Sequence, residues 1–337
     1  MIVFITNLPS FYKNKLFSTI NAKRKVRAIF TGVATEVRNK DFFSAERSYE
    51  SVQLEGGLLK KLRTVWKCTK GEVDEVVIGG WDNMISLLSA LIIPKRKLSA
   101  LVESSIYESC TTGLKSFVKR LFLKRISKVY VAGELQSELV RALGFKGKIV
   151  KIGGCGILNY VPQPPYEERK EVKNFIYVGR LSPEKNLKLL IEAFKALPQL
   201  NLTIVGFGPQ EAELKAMGAQ NVKFSGAVEN RKLPSFLYVS EVLVLPSTSE
   251  TWGLVVEEAL NNGLPVIVSD RVGCRKDLVT ADTGLSFNHN SVEDLQRTIL
   301  QMTDVDFYNH LRLGVSKLDF NKRAEHQVEC FCDSNRP

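Results

Sequence analysis

Short apolar runs recur along the chain, each three to five residues long and each followed by a polar or glycine-containing turn. They fall at Ile2–Thr6, 75–78, Leu98–Val102, 129–131, 148–152, Asn174–Val178, 202–205, Val242–Leu245 and 265–268, and each predicts a buried β-strand. Between them the apolar period lengthens to that of a helix. Residues 84–91 predict one helix, ahead of Pro94, and 137–143 another, ended by Gly144. Leu187, Leu190, Ile191, Phe194 and Leu197 line one face of a third. A fourth should start near Gly253 and stop at Gly263, a residue suited to the left-handed position past a helix end. Strands alternating with helices predict parallel, doubly wound α/β sheets.

The 337 residues suit two such domains, and 44% apolar with 25% charged residues is an ordinary globular balance. Pro162, Pro164, Pro165 and the charged stretch 167–173 mark the best linker. The expected division is 1–155, a linker at 156–173, a second domain at 174–318, and a helix and tail at 319–337. That last helix, about 321–332, is expected to cross back onto the first domain, with 334–337 frayed. No run of 18 apolar residues appears, so no membrane-spanning helix is expected. The N-terminus starts at once as a strand, without the basic and long apolar regions of a signal peptide.

Charge separates the halves. Residues 1–150 carry 26 Lys and Arg against 13 Asp and Glu, whereas 151–337 carry 21 against 23. The basic half is either solvated or faces an anionic partner. Its most pointed segment is 113–128, where Leu114, Phe117, Val118, Leu121 and Phe122 line one helical face and Lys115, Lys119, Arg120, Lys124 and Arg125 crowd the others. That pattern fits a helix lying on an anionic membrane surface, and equally a core-facing helix with a solvated side. Nucleic acid is not expected as a partner, because no nucleic-acid motif accompanies the charge.

The six cysteines (68, 110, 155, 274, 330 and 332) form no C-x-x-C pair and read as reduced, cytosolic thiols. Cys330 and Cys332 with His326 lack the second half of a zinc site. No metal is expected. The triplet Asp304-Val305-Asp306 falls in a terminal helical region, where chance accounts for it.

Two segments carry candidate chemistry. The strand Asn174–Val178 runs into Gly179-Arg180-Leu181-Ser182-Pro183-Glu184-Lys185-Asn186. Open α/β sheets bind ligands at the carboxyl ends of their strands, so Arg180 and Lys185 are positioned to hold a diphosphate. Each such ion pair contributes up to ~4 kcal/mol at an effective dielectric near 20, before desolvation is subtracted. The second segment is Ser247-Thr248-Ser249-Glu250-Thr251-Trp252-Gly253-Leu254-Val255-Val256-Glu257-Glu258. Glu250 and Glu258 bracket a helix N-terminus whose free N–H groups, near Trp252, Gly253 and Leu254, make an anion site. Carboxylates on either side of a bound diphosphate match a nucleotide-sugar, with hydroxyls at both ends.

The string GRLSPEKN, followed some seventy residues later by LPSTSETWGLVVEEALNNGLPVIVSD, resembles the C-terminal domain of glycosyltransferase family 4, the retaining group 1 glycosyl transferases. The resemblance is dense from about residue 175 to 284 and loose over the first 150. It implies a GT-B fold, two Rossmann-like doubly wound domains facing across a cleft, and a nucleotide-sugar donor with neither metal nor cofactor. It implies further that Glu250 contacts donor sugar hydroxyls, that Glu258 contacts the ribose, and that 224–228, ending at Val228, flanks the nucleobase through its backbone. The leaving phosphate would help take the acceptor proton in a front-face reaction, so no protein nucleophile is required. Arg180, Lys185 and Glu250 are the expected catalytic residues.

Many members of this family place a histidine on the N-terminal side. Here His289, His310 and His326 all fall in the other half. Loops after probable strands there hold Trp81, Asp82 and Glu103, the expected acceptor-side residues. Gly206-Phe207-Gly208 lacks the third glycine of a dinucleotide fingerprint, since Glu211 stands in its place.

The expected activity is transfer of a sugar to a lipid-linked or polysaccharide-precursor acceptor, of the kind used for cell-surface polysaccharide or O-antigen. The protein is expected in the cytoplasm, peripheral on the inner face of a membrane. Two alternatives stay open: a sugar-nucleotide epimerase, and a non-catalytic nucleotide-sugar-binding subunit.

Overall fold

The computed structural model describes residues 1–32, 40–43 and 46–333. The tail expected to fray, 334–337, lies outside these residues. The chain divides into two compact units, Met1–Asn159 with Asn321–Pro337, and Tyr160–Phe320.

The first unit holds a seven-stranded sheet. Its strands are β1 (Ile2–Thr6), β2 (Val26–Phe30), β3 (Glu50–Gln53), β4 (Glu75–Gly79), β5 (Leu98–Val102), β6 (Lys128–Val131) and β7 (Lys148–Lys151), in the order β3-β2-β1-β4-β5-β6-β7. All neighbours run parallel. The central strands read as continuous apolar runs because helices cover both faces, as parallel sheets require. Val3, Ile5, Val76, Ile78, Ala100 and Val129 are fully buried in one cluster with Phe122, Leu123 and Leu139 from the helices. Sequence patterning passes over β2 and β3: β3 is an edge strand of only four residues, mostly exposed.

A charged network crosses this unit's core. Glu75 accepts hydrogen bonds from Arg24 (3.1 Å), the Ser99 hydroxyl (2.6 Å) and the Tyr130 hydroxyl (3.0 Å), and pairs with Lys128 at 2.8 Å. Burial works to raise this carboxyl, but Lys128, Ser99 and Arg24 outweigh it and hold it below its ordinary value. Arg24 also donates to the Phe331 carbonyl at 2.6 Å. The Phe331 ring is fully buried against Phe4 and Tyr130, at centroid distances of 5.3 and 4.4 Å. The C-terminal helix, Phe320–Cys332, is therefore part of the first unit's core from residue 321 onward.

The second unit holds a six-stranded parallel sheet. Its strands are β8 (Asn174–Val178), β9 (Asn201–Val205), β10 (Val222–Gly226), β11 (Val242–Leu245), β12 (Val266–Ser269) and β13 (Gly284–Phe287), ordered β10-β9-β8-β11-β12-β13. Residues 160–173, the greater part of the linker read from composition at 156–173, lie along this unit. The Tyr160 hydroxyl donates to Glu257, Gln163 to the Leu260 carbonyl, and the Glu167 carbonyl accepts from Arg312. Among the described residues no helix is long and apolar enough to cross a membrane.

In each sheet the strand order reverses at one place: between β1 and β4 in the first unit, and between β8 and β11 in the second. Successive crossovers leave in opposite directions there, opening a crevice at the strands' carboxyl ends.

Phe331→Ala should destabilise the first unit by about 3–5 kcal/mol, the range for truncating a buried aromatic. Urea unfolding measures this, with a fluorescence change from Trp66 and Trp81. An unchanged midpoint would show that the helix does not contribute to that core.

Candidate functional site

The second unit's switch point brings the candidate cations and carboxylates together. β8 ends at Val178, and the chain turns through Gly179 to a short 3-10 helix, Pro183–Lys185. Asn186 closes it in the left-handed conformation (φ 56°) and starts the helix Leu187–Lys195. β11 ends at Leu245, and residues 246–253 lead to the helix Leu254–Asn261. Gly253 caps that helix at φ 98°, a conformation strained for a residue with a Cβ. Gly263 follows its end at φ 80°, the left-handed position its sequence predicts.

These two loops are fastened to each other. Lys185 Nζ lies 2.5 Å from Glu250 Oε2, each side chain 16% exposed. The Thr248 amide donates to the Glu184 carbonyl at 2.8 Å. Arg180 donates to Glu184 Oε1 at 3.0 Å and the Ser182 hydroxyl to the same oxygen at 2.6 Å. Burial works to raise the Glu184 carboxyl, but Ser182, its own backbone and Arg180 prevail and lower it. The Arg180 side chain remains 40% exposed and so accessible to a ligand.

The buried Tyr177 hydroxyl donates to the Arg180 carbonyl at 2.7 Å. Burial raises this phenol well above its ordinary value, the Glu250 and Glu184 carboxylates add to the effect, and Arg180 opposes it. These charges thus surround one point. A Cβ at Gly179 would stand 2.6 Å from that hydroxyl, and one at Gly206 would stand 1.8 Å from the Gly179 carbonyl. The Gly206 and Gly208 loop packs this closely on the chain's own 179–181 turn.

The far side of the helix tip is fixed by residues 272–274. Gly273 N donates to the Glu250 carbonyl (3.0 Å) and Cys274 N to the Trp252 carbonyl (2.8 Å). The Trp252 side chain is 1% exposed, and its indole N–H donates to Glu257 at 2.6 Å. Only its main chain can serve an anion. The first N–H groups of the helix, from Leu254 onward, lie ahead of any intrahelical acceptor. Glu258 lies one turn further along, partly buried, and none of the described hydrogen bonds or ion pairs engages its carboxylate. Desolvation, then the neighbouring Glu257 carboxylate, pushes its pKa from 4.5 up to about 8. Val228 stands apart, on the loop after the edge strand β10. Sequence reasoning missed Tyr177, Glu184, Glu257 and Tyr160.

In the first unit, Trp81, Asp82 and Glu103 follow β4 and β5 at that sheet's carboxyl edge. The Trp81 ring is only 7% exposed and packs on Phe122 as core. Desolvation raises the Asp82 carboxyl, Lys119 opposes this and Glu103 adds to it, so the three charges share one neighbourhood. Glu103 Oε2 takes a 3.0 Å bond from buried Lys13, whereas its Oε1 is buried without a hydrogen-bond partner. In the helix Gly113–Arg125, Ser116, Phe122 and Leu123 face the core. Leu114 (79%), Phe117 (57%), Val118 (39%) and Leu121 (46%) are exposed. Of its five cations, Arg120 and Arg125 donate to main-chain carbonyls and Lys119 to Ser109 and Cys110. Lys115 and Lys124 have no partner among the described residues. Asp304, first of the D-x-D triplet, accepts from the Phe307 amide as a helix N-cap.

The family model for glycosyl transferases group 1 matches residues 163–311, the span that holds this cluster. Over that span, less than half of the chain, the sequence is similar to the group 1 glycosyl transferases. The chain is 38% identical over 124 residues to the sulfoquinovosyl transferase SQD2 of Arabidopsis thaliana, covering 35% of this chain and 24% of that protein. It is 25% identical over 196 residues to the O-antigen chain mannosyltransferase B of Escherichia coli, covering 52% of this chain and 51% of that one. The chain thus spans about a quarter to about half of these relatives' lengths. Two solved structures share the fold over both units. The lipopolysaccharide outer core galactosyltransferase WaaB is 17% identical with a TM-score of 0.69 and covers 97% of this chain and 99% of its own. Anabaena HepE in complex with UDP is 16% identical with a TM-score of 0.70 and covers 98% and 99%. The fold is accordingly that of the GT-B glycosyltransferases, two parallel-sheet α/β domains of seven and six strands.

A carboxyl that titrates at about 8 in the folded chain but 4.5 otherwise binds more protons folded than unfolded between those values. Its destabilising effect is absent below pH 4.5, grows through that window and is complete above about 8. Glu258→Gln should therefore flatten the loss of stability as pH rises from about 5 to about 8. Urea unfolding midpoints across that range measure it; parallel pH profiles for both proteins would show that Glu258 is not desolvated.

Proposed function

We propose that the protein is a retaining glycosyltransferase that moves a sugar from a nucleotide-sugar to a lipid-linked or polysaccharide-precursor acceptor, working at an anionic membrane surface. One observation carries this reading: Arg180, the Lys185–Glu250 pair and the Gly253 helix tip meet at the switch point of the group 1 domain. The donor diphosphate would lie against the tip amides, with Arg180 and Lys185 on its oxygens. Glu250 would take donor sugar hydroxyls and Glu258 the ribose hydroxyls, which suits a carboxyl group with no engagement of its own. Val228 would reach the nucleobase through its main chain. The HepE complexes with UDP and UDP-glucose support the nucleotide-sugar class.

Breaking the sugar–phosphate bond develops positive charge on the sugar and negative charge on the leaving diphosphate. Fixed donors aimed at that developing negative charge lower the barrier, and each is typically worth 10²- to 10³-fold in rate. The leaving phosphate oxygen takes the acceptor proton on the same face, so the sugar keeps its configuration. Glu103, with one carboxylate oxygen unclaimed, is the acceptor-side residue best placed to orient a hydroxyl. Asp82 lies in its neighbourhood, and buried Trp81 supports the loop.

The membrane reading draws support from the exposed row Leu114, Phe117, Val118 and Leu121, set among Lys115, Lys119, Arg120, Lys124 and Arg125. An apolar row facing solvent beside cations fits insertion at a lipid headgroup boundary. Relatives named for O-antigen chain and lipopolysaccharide outer core sugars support a glycan acceptor of that kind.

Arg180→Ala and Glu258→Ala should each lower transfer at least about 100-fold with unchanged circular dichroism. The assay is nucleoside diphosphate release from a panel of sugar nucleotides, with and without lipid-linked acceptors. Full activity in either variant removes that residue from the mechanism. Turnover that needs no acceptor and yields an epimer would replace the transferase reading. Phe117→Ser with Leu121→Ser should weaken sedimentation with phosphatidylglycerol vesicles several-fold. Equal binding by both proteins would overturn the membrane reading.

A further inference from the structure

An open cavity of about 660 Å3 lies in the first unit. It is lined by Lys95 ahead of β5, by Ile126 and Ser127 ahead of β6, and by residues 143–147 ahead of β7. All of these precede parallel strands, so the cavity sits at the amino edge of the sheet. Trp81, Asp82 and Glu103 sit at its carboxyl edge.

The lining is of two kinds. Phe117, Leu121 and Phe145 present apolar surface, the first two at 57% and 46% exposure, above buried Leu123 and Ile126. Lys95, Arg120, Lys124 and Lys146 supply four cations, and no carboxylate lines the cavity. Arg120 is held in place by the Thr111 and Ala142 carbonyls. Lys95, Lys124 and Lys146 have neither a hydrogen bond nor an ion pair among the described residues.

We propose that this cavity binds one anionic phospholipid, its phosphate met by Lys95, Lys124 and Lys146 and the first part of its acyl chain lying on Phe117, Leu121 and Phe145. Charge complementarity selects the head: cations gathered without a counter-carboxylate favour a phosphate over a zwitterion. The apolar wall selects the tail, because a free phosphate would leave Phe117 and Leu121 in water. Both residues also belong to the exposed row Leu114–Leu121, so a bound lipid and a membrane surface would be continuous. The proposal deepens the membrane reading and is separable from it.

The test is calorimetric titration of the full chain with monomeric dihexanoyl phosphatidylglycerol below its micelle concentration. Dihexanoyl phosphatidylcholine and glycerol phosphate serve as the zwitterionic and tail-less arms. The expected result is saturable binding of phosphatidylglycerol, at least tenfold tighter than either. Lys95→Glu with Lys146→Glu, both exposed at the amino edge of the first unit's sheet, should weaken it at least tenfold without shifting Tm. Independently of any variant, spin-labelled phosphatidylglycerol should broaden NMR signals of residues 117–147 first. Equal binding of phosphatidylcholine or glycerol phosphate, no saturation, or broadening elsewhere would overturn the proposal. If monomeric lipid fails while phosphatidylglycerol vesicles still bind, the cavity falls and the surface reading stands. If the vesicles fail too, both fall.

Discussion

The ion pair between Lys185 and Glu250 is the interaction on which the candidate site depends. It spans 65 residues of sequence and closes the gap between the loops after β8 and β11. With both side chains 16% exposed, removing one partner leaves a largely desolvated charge, which costs about 3–5 kcal/mol in buried pairs. The pair also sets the local field. Lys185 sits paired with a carboxylate that could accept sugar hydroxyls, while Arg180, tethered by Glu184, keeps an accessible face. A phosphate arriving at the helix tip would meet cations already positioned, so little reorganisation is needed as charge develops.

Around that pair the structure spends buried polar groups on rigidity. Glu257, fully buried, takes the Trp252 indole N–H and the Tyr160 hydroxyl. It thereby ties the helix tip to the start of the second unit. Glu258, the next residue, has none of these bonds and carries the raised pKa. Adjacent glutamates on one helix thus divide between a braced interior position and one whose carboxyl is unengaged among the described residues. The first unit repeats the device at Glu75, whose four partners fix the core beneath β4 and β6.

Much of this was legible in the sequence because it is local. The runs Asn174–Val178 and Val242–Leu245 are β8 and β11 to the residue, and Gly253 and Gly263 frame the helix as their backbone freedom predicts. The doubly wound class follows from strand–helix alternation. What could not be read depends on distant residues. Nothing near Tyr177 in sequence says that its hydroxyl will sit among Arg180, Glu184 and Glu250, and nothing near Glu257 announces Tyr160, 97 residues away. The basic helix 113–125 shows the same limit. Its amphipathic pattern fitted burial and exposure equally, and only packing decided that Phe122 and Leu123 turn inward while Leu114, Phe117 and Leu121 face out.

The most direct test of the central claim is a structure of the protein with a bound nucleoside diphosphate, the base chosen by its tightest binding. The account predicts the pyrophosphate within hydrogen-bonding distance of the amides at Gly253 and Leu254, of Arg180 and of Lys185, with the ribose at Glu258. A nucleotide bound away from the β8–β11 switch point, with the Lys185–Glu250 pair untouched, would contradict it.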